Sequence, residues 1–426
     1  MTLRLGSGAE LRPGSRLAAG GQGEVYAVDR PAGHVFKRYF PRELAKDPAL
    51  EPRLRSMVAA PPAGRLESSG HVNMAWPVDV VYDGEQFAGF IMPVIDMAST
   101  VGIHRVTNPS DRGRARGEAG AWLAGFTWRY LVRTAVNLVQ VTHALHAAGT
   151  VIGDFNDANV RVGRDARVTL LDCDSMQIRD AATGTMYLCR VGRPEFTAPE
   201  LLSQDWSVTV RERSSDMFAL AIHLYALLLE GEHPFRGIWD WEGEKPEVTE
   251  LAARGLWAYL DGGPLLPRPA AIGIGLLPPA IQQLFHTAFE HGAYSPAHRP
   301  GPDEWHRALC ELEDELCTCA ADPSHVYPAF HGRTCPWCEH ARRVAPPLAP
   351  APAGADPAQP AGAAAPSRSP LAGQASRSNP PPRPPALPAV TPGHALSHLV
   401  AGRLGVAGRP ILIQPKRPPT GGEGGR

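Results

Sequence analysis

The sequence predicts an α+β fold of two lobes, with a small β-rich N-terminal lobe and a larger α-helical C-terminal lobe. The first hundred residues contain short apolar stretches of strand length, such as 34–37 and 87–92, separated by glycine and proline. From about 128 onward the apolar residues follow helical spacings, and 129–148 carry one apolar stripe. Residues 215–230 are apolar on nearly every side, as expected of a helix buried at the centre of the larger lobe.

Composition and charge narrow the function classes. The 426 residues carry a formal net charge of −1, which gives no electrostatic support to a nucleic-acid partner. No stretch approaches the roughly 18 uninterrupted apolar residues that a membrane span requires. The first fifteen residues also lack the apolar segment of a secretory signal. We therefore expect a cytoplasmic protein without a membrane span or a nucleic-acid partner.

A glycine-rich turn at 17–26 lies between two predicted strands. Glycine lets backbone amides approach a polyphosphate closely because no Cβ intervenes. The turn therefore predicts a nucleotide-phosphate site, although a plain tight turn has the same composition. Lys37 ends the next apolar stretch, fourteen residues after Gly23, in the register of a phosphate-binding lysine. The residues predicted to contact the nucleotide here are Ala18, Gly20, Gly21, Gly23, Val25 and Lys37.

A lysine in such a site needs a carboxylate to hold it in place. Glu51, in a predicted helix of the smaller lobe, is the candidate, and Glu43 is the alternative. Each has an unfavourable feature. Pro52 directly follows Glu51 and disfavours helical geometry there, whereas Glu43 lies only six residues from Lys37. We predict that Glu51 pairs with Lys37.

Acidic and amide side chains recur between 154 and 172. Asn159 follows Asp154 by five residues, and Asp172 comes thirteen residues later, at the end of a predicted strand. Carboxylate and amide oxygens are ligands that Mg²⁺ accepts, together with phosphate oxygens and water. The spacing matches a phosphoryl-transfer site in which Asp154 orients the acceptor hydroxyl while Asn159 and Asp172 hold magnesium.

Three further positions indicate architecture rather than chemistry. Residues 197–200 read Thr-Ala-Pro-Glu, which is typical of the end of an activation segment. Asp216 opens the buried helix, where it is expected to brace the backbone around Asp154. Arg299 is positioned to pair with Glu200.

Together these motifs resemble those of eukaryotic-like bacterial protein kinases, and more narrowly the kinase-like proteins associated with tellurium-resistance and stress operons. The resemblance covers about 15–340. The segments that carry it are 76–77, 89–93, 153–159, 172–175, 193–200 and 335–338.

The resemblance implies an ATP- and Mg²⁺-dependent protein kinase that transfers the γ-phosphoryl group to Ser or Thr hydroxyls of a protein substrate, in bacterial stress or signalling regulation. The catalytic residues are then Asp154, Lys37 and Glu51, and the magnesium ligands are Asn159 and Asp172. A PP2C-type phosphatase and a von Willebrand-type domain protein are the implied partners. Two residues at the end of the strand 87–92 complete the nucleotide site, Met92 and Val94.

Several positions depart from the kinase pattern. Ile152 and Gly153 replace the usual His-Arg, so no arginine is there to bind a phosphorylated activation segment. Asn156 stands where many kinases have a lysine, and Asp174 replaces the glycine of the Asp-Phe-Gly motif. These changes predict an atypical kinase and leave two alternatives. One is a pseudokinase scaffold that binds ATP or partners without phosphoryl transfer. The other is an adaptor built on the cysteine-rich segment and the tail.

Five of the seven cysteines crowd into 310–338, which favours a metal site over a disulfide framework. The predicted ligands of a structural zinc knuckle are Cys319, His325, Cys335 and Cys338, with Cys317 as the substitute for Cys319. A C-x-x-C redox pair or free thiols are the competing interpretations.

The predicted organisation has four parts. They are an N-terminal extension at 1–14, a kinase-like domain at 15–312, a zinc-knuckle segment at 313–342 and a disordered Pro/Ala/Gly-rich tail at 343–426. Within the kinase-like domain, the smaller lobe is expected at about 15–95 and the larger lobe at about 96–312.

Overall fold

The computed structural model describes residues 3–114 and 121–344. The N-terminal part is a closed barrel of six antiparallel strands in the order β1-β2-β3-β4-β6-β5. Its strands are β1 (Leu3–Leu5), β2 (Glu10–Ala19), β3 (Gly23–Arg30), β4 (His34–Tyr39), β5 (Asp79–Asp83) and β6 (Gln86–Pro93).

The first strand closes the barrel. Leu3 and Leu5 are buried while Arg4 is exposed, the alternation of a strand with one face on a core. Strand β1 pairs with β2 on one side and with β5 on the other. Residues 1–14, predicted to be an N-terminal extension, therefore include a strand of the barrel and the first half of β2. The buried core residues of the barrel are Leu3, Leu5, Leu11, Val28, Phe36, Val81, Ala88 and Ile91.

Two helices connect β4 to β5, α1 (Pro41–Lys46) and α2 (Leu50–Ala59). Helix α2 packs against β5 and β6. Its buried face is formed by Arg53, Leu54, Ser56 and Met57. The indole of Trp76 donates a hydrogen bond of 2.9 Å to the carbonyl oxygen of Met57, so the end of this helix is tied to the chain that leads into β5.

The C-terminal part is mainly helical, which confirms the α+β class. Its long helices α5 (Trp128–Ala147) and α6 (Arg213–Leu228) pack against each other, and α10 (Pro302–Asp314) packs on α5. Helix α6 is buried on almost every side, as its apolar sequence predicts. The helices are α3 (Ile103–Thr107), α4 (Pro109–Arg114), α5 (Trp128–Ala147), α6 (Arg213–Leu228), α7 (Val248–Ala253), α8 (Pro279–His286), α9 (Gly292–Tyr294) and α10 (Pro302–Asp314). The strands are β7 (Thr100–Gly102), β8 (Val160–Gly163), β9 (Val168–Leu170), β10 (Ile178–Arg179), β11 (Met186–Tyr187), β12 (Ile238–Trp239) and β13 (Leu265–Leu266).

Asp216 in the first turn of α6 holds the backbone that precedes Asp154. Its carboxylate accepts hydrogen bonds from the backbone N–H of Ile152, at 2.7 Å, and of Gly153, at 2.8 Å. The same carboxylate lies 2.9 Å from Nε2 of His146, near the end of α5. The predicted bracing role of Asp216 is confirmed, because the buried helix α6 fixes the loop that precedes Asp154.

The last described segment packs against the helical part. It contains β14 (Leu316–Thr318), β15 (Val326–Pro328) and α11 (Pro336–Val344). The Trp337 ring of α11 packs edge-on against Trp128 at the start of α5, with ring centroids 6.0 Å apart. Cys319, Tyr327 and Cys335 belong to the main apolar core. The predicted disordered tail lies outside the described residues from 345 onward. Among the helices described, none has both the length and the apolar character needed to cross a membrane.

Candidate active site

Lys37 stands at the centre of a cluster that joins the barrel to the helical part. It lies on β4, paired with Val25 on one side and Phe90 on the other. Its ammonium donates to Oδ1 of Asp172 at 2.8 Å and to Oδ2 of Asp174 at 2.7 Å. These partners are 135 and 137 residues away in sequence. The structure therefore brings together two predicted site residues, Lys37 and Asp172, from opposite ends of the fold.

Burial and neighbouring charges shift the pKa values of Lys37, Asp172 and Asp174. Burial alone would lower the pKa of the Lys37 ammonium, but the carboxylates of Asp174 and Asp172 outweigh that effect and raise the pKa. Repulsion from Asp174, together with burial, raises the pKa of Asp172. Burial opposes ionisation of Asp174 as well, yet attraction to Lys37 and hydrogen bonding lower the pKa of Asp174 below its usual value. The ammonium is thus held charged between two carboxylates of unequal acidity.

Asp172 has a backbone conformation that suits a functional site. Strand β9 ends at Leu170, and Asp172 then adopts the left-handed region with φ 53° and ψ 35°. Non-glycine residues rarely take this conformation unless the surrounding structure enforces it. The N–H of Leu171 donates to the carbonyl of Asn159 at 2.8 Å, which places the two predicted magnesium ligands side by side.

Asp154 and Asn159 are joined directly. Nδ2 of Asn159 donates to the carbonyl of Asp154 at 3.0 Å and approaches its Oδ2 at 3.3 Å. Because Nδ2 makes both contacts, Oδ1 of Asn159 is the atom that can bind a cation. Nδ2 of Asn156 donates to Oδ1 of Asp154 at 2.6 Å. A narrow crevice between the loops is lined by Asp154, Asn159 and Asp172 among others, so the three predicted groups face one space.

The glycine-rich turn lies over Lys37. Gly20–Gln22 connect β2 to β3, and Oε1 of Gln22 is 3.4 Å from the Lys37 ammonium. Gly23 is required by close packing, since a Cβ there would lie 2.2 Å from the carbonyl oxygen of Arg38. Ala18 pairs with Val25 across the hairpin, so both predicted residues flank the turn. A Cβ on Gly20 or Gly21 would meet no atom within 4 Å, which leaves their backbone accessible to a ligand.

The two residues predicted near the end of β6 lie beyond Phe90, whose ring centroid is 5.9 Å from the Lys37 ammonium. Met92 is half-buried and pairs with Val35. Val94 follows the strand and is 48% exposed, while its N–H donates to the carbonyl of Gly33. Their part in nucleotide binding stays a prediction.

The predicted pairing of Lys37 with Glu51 is corrected by the structure. The Glu51 carboxylate accepts hydrogen bonds from Nε of Arg55, at 3.0 Å, and from the hydroxyl of Tyr82. Two residues along a helix are about 200° apart around its axis, so Glu51 points away from the buried face that Arg53 occupies. The alternative, Glu43, forms ion pairs with Arg42 and Lys46.

Sequence reasoning missed three residues of this cluster. Asp174 departs from the Asp-Phe-Gly pattern in the sequence, and the structure places its Oδ2 2.7 Å from the Lys37 ammonium. Tyr39 donates from its hydroxyl to Oδ2 of Asp174 at 2.6 Å, and its position two residues after Lys37 on one strand is a signal for a shared face. Buried Arg53 donates to the carbonyl of Met176, in the segment after β9.

A second cluster, the Cys/His cluster, lies in the last segment. One donor atom from each of Cys319, His325, Cys335 and Cys338 lies within 4.8 Å of the others. The Sγ atoms of Cys319 and Cys338 are 3.8 Å apart, and Nδ1 of His325 is 3.5 Å from Sγ of Cys338. Three thiols and an imidazole at this spacing fit one tetrahedral ion. Cys317 is directed elsewhere, because its Sγ lies 3.3 Å from the carbonyl of Tyr327.

Comparison with known proteins finds similarity to two curated protein kinases. The chain is similar to the protein kinase YegI of Escherichia coli O157:H7, with 31% identity over 343 residues that cover 79% of this chain and 50% of the relative. It is 30% identical to the protein kinase YegI of Escherichia coli strain K12 over 331 residues, which cover 76% of this chain and 48% of the relative. No protein-family model matches the chain.

These similarities support a bacterial kinase-like protein. The chain spans about half the length of the curated relatives it matches.

Proposed function

We propose that this chain is an ATP- and Mg²⁺-dependent protein kinase that transfers a phosphoryl group to Ser or Thr hydroxyls of protein substrates. The barrel and the helical part serve as its two lobes, and the nucleotide binds between them. The observation that carries the proposal is the 2.8 Å ion pair between Lys37 and Asp172, which come from opposite parts of the fold. In a kinase site, a lysine ammonium contacts the nucleotide phosphates, and a neighbouring carboxylate holds the magnesium ion that bridges them.

Each residue has a distinct role in this proposal. Magnesium, when bound with ATP, neutralises charge on the phosphates. Asp172, with 35% of its side chain exposed, and Oδ1 of Asn159 fit the hard-oxygen ligands that this ion prefers. Lys37 contacts the phosphates, and the turn at Gly20 and Gly21 covers them.

Asp154 acts on the acceptor hydroxyl. Its carboxylate is held by Asn156 and Asn159, and its backbone by the contacts of Asp216 with the preceding loop. A carboxylate fixed in this way can orient the hydroxyl and accept its proton as the hydroxyl oxygen bonds to the γ-phosphorus, while the bond from that phosphorus to the β–γ bridging oxygen breaks and ADP leaves.

Incubation of purified protein with Mg²⁺ and γ-labelled ATP tests the proposal. We expect label on the protein or on a generic Ser/Thr substrate with the wild type, and at least a hundredfold less with Asp154→Ala or Asp172→Ala. Asp165→Ala is the matched control, because Asp165 is an acid of the β8–β9 turn that binds the nearby Arg167 backbone. Equal labelling by all four proteins, or by none, would contradict the proposal.

A second candidate is a nucleotide-binding scaffold that transfers no phosphate. It is favoured by the 2.6 Å hydrogen bond from Asn156 to Asp154, which occupies one oxygen of the proposed base. ATP binding by the wild type, with no transfer to itself or to a substrate, would select this alternative.

The Cys/His cluster is proposed to hold a structural Zn²⁺. All four donors come from the protein, and a closed site of this kind stabilises structure rather than supplying a reactive position. We further propose a PP2C-type phosphatase and a von Willebrand-type domain protein as partners. This proposal rests on the resemblance to the kinase-like proteins of tellurium-resistance and stress operons. Co-purification with each candidate protein tests these two pairings.

A further inference from the structure

We propose that Asp174 is the positioning residue that anchors Lys37, in place of a glutamate from helix α2. This inference rests on the proposed kinase function, since it concerns the lysine that would hold the nucleotide phosphates. Asp172 and Asp174 are only two residues apart, but their proposed roles differ: Asp172 binds the metal ion, and Asp174 anchors Lys37.

Burial separates the two carboxylates. Both lie within 2.8 Å of the Lys37 ammonium, but 35% of the Asp172 side chain is exposed and only 4% of the Asp174 side chain. A partly exposed carboxylate in the crevice beside Asn159 can exchange Lys37 for a metal ion. A buried one cannot reach the ion without leaving its partners, so it keeps the lysine in place.

Asp174 is also tied to the strand that carries Lys37. The hydroxyl of Tyr39 donates to Oδ2 of Asp174 at 2.6 Å, and the Lys37 ammonium donates to the same oxygen. Both donors project from one face of β4. The aspartate is therefore bound to β4 at two points, and a buried carboxylate with two such donors is fixed in position.

Helix α2 offers no competing carboxylate. Glu51 is engaged by Arg55 and Tyr82, and the residue that α2 buries toward the segment after β9 is Arg53. A cation on this face complements Asp174 and cannot replace it. The anchor of Lys37 and the proposed metal ligand thus belong to one short segment, so the ion pair can form without a displacement of α2.

Substitution of each candidate carboxylate tests the assignment. We expect Asp174→Asn to weaken the binding of Mg²⁺ and a non-hydrolysable ATP analogue at least tenfold by calorimetry. We also expect Lys37→Met alone to weaken this binding at least tenfold, and Asp174→Asn to weaken it less than threefold further in the Lys37→Met background, because the aspartate acts through the lysine. A purely structural role of Asp174 would weaken binding by the same factor in both backgrounds.

Glu51→Gln tests the alternative anchor, and Asp83→Asn is the matched control. Asp83 pairs at 2.9 Å with Arg38, the residue that follows Lys37 in sequence. This ion pair lies outside the Lys37 cluster. We expect both variants to bind the analogue as the wild type does. A tenfold loss of binding in Glu51→Gln, or unchanged binding in Asp174→Asn, would overturn the assignment.

A double-mutant cycle covers the case in which Asp174→Asn folds poorly. In a Lys37→Met background the aspartate has lost its partner, so Asp174→Asn should lower the melting temperature less than half as much as it does in the wild type. Equal losses in the two backgrounds would contradict the pairing. Neither the cycle nor the binding assay requires phosphoryl transfer, so these results remain distinct from a failure of the proposed activity.

Discussion

Arg299 binds Glu200 through two parallel hydrogen bonds, each 2.7 Å long. The two residues are 99 apart in sequence. The Arg299 side chain is completely buried, and its Nη1 also donates to the carbonyl of Ser214 at 2.9 Å. The pair therefore joins the end of the proposed activation segment to the start of α6, as the sequence motifs predict.

Loss of this buried partner should be costly. We expect Arg299→Ala to lower the free energy of unfolding by about 3–5 kcal/mol, because Glu200 is left without its cation and a buried space opens. Urea denaturation measures the change. Arg268→Ala is the matched control, since Arg268 also binds Glu232 through two hydrogen bonds but is 60% exposed. We expect that variant to lose less than about 1 kcal/mol, and similar losses in the two variants would argue against the role of burial.

Gly153 should not tolerate a side chain. Its φ is +74°, and a Cβ would lie 2.6 Å from Sγ of Cys189 and 3.0 Å from Nη1 of Arg211. We expect Gly153→Ala to cost about 3 kcal/mol or more, the sum of backbone strain and overpacking, and to reduce phosphoryl transfer about a hundredfold through displacement of Asp154.

Gly149 provides the comparison for this variant. It has a similar φ of +79°, but a Cβ there would meet no atom within 4 Å. Gly149→Ala should therefore cost only about 1 kcal/mol from its backbone conformation. Equal unfolding free energies for the two alanine variants would show that the contacts with Cys189 and Arg211 do not restrict this loop.

Metal removal should destabilise the helical part as a whole. We expect one zinc ion per chain by elemental mass spectrometry, and chelation or Cys338→Ser should lower the melting temperature by at least about 5 °C, since a few kcal/mol shift it by that amount. The physical reason is that Cys319 and Cys335 belong to the main core. Cys317→Ser should keep the ion, because Cys317 lies outside the Cys/His cluster. Unchanged melting and cysteine reactivity after chelation would contradict the zinc site.

Stability should decrease in mild acid because of His223. This imidazole packs between Phe155 and Phe196, and burial lowers its pKa to about 4 from an ordinary value of 6.5. Between these values the unfolded chain binds a proton and the folded protein does not. The contribution of His223 is therefore complete above about pH 6.5 and is lost progressively as the pH falls toward 4.

A phenylalanine at this position removes the titration. We expect His223→Phe to lose up to about 3 kcal/mol less stability than the wild type between pH 7 and pH 4, measured by urea denaturation at each pH. The comparison between the two proteins cancels the titration of other groups. Parallel losses in both proteins would mean that His223 does not stay neutral in the folded state.

Local spacing explains why part of the site could be predicted from the sequence. Asp154 and Asn159 are five residues apart within one loop, so their distance in space follows from their distance in the chain. Cys335 and Cys338 open a short helix, and a C-x-x-C turn presents both thiols to one point. Such features depend little on the rest of the fold.

The partner of Lys37 depends on contacts that the sequence pattern does not contain. Which side chain of α2 faces inward is set by how the helix rolls on β5 and β6, and the helix buries Arg53 instead of Glu51. The approach of Asp174 to β4 spans 137 residues. The choice between Cys317 and Cys319 likewise follows from the pairing of β14 with β15, which directs the Cys317 thiol to Tyr327.

The closed barrel restricts how a partner can recognise the N-terminal part. A sheet with free edges can accept an additional strand from another protein. In the described barrel every strand has a neighbour on both sides, because Leu3–Leu5 pair with both β2 and β5. A substrate or regulator that binds the barrel must therefore contact its side chains or its loops. Among the residues that the structure describes, free strand edges lie in the short sheets of the helical part.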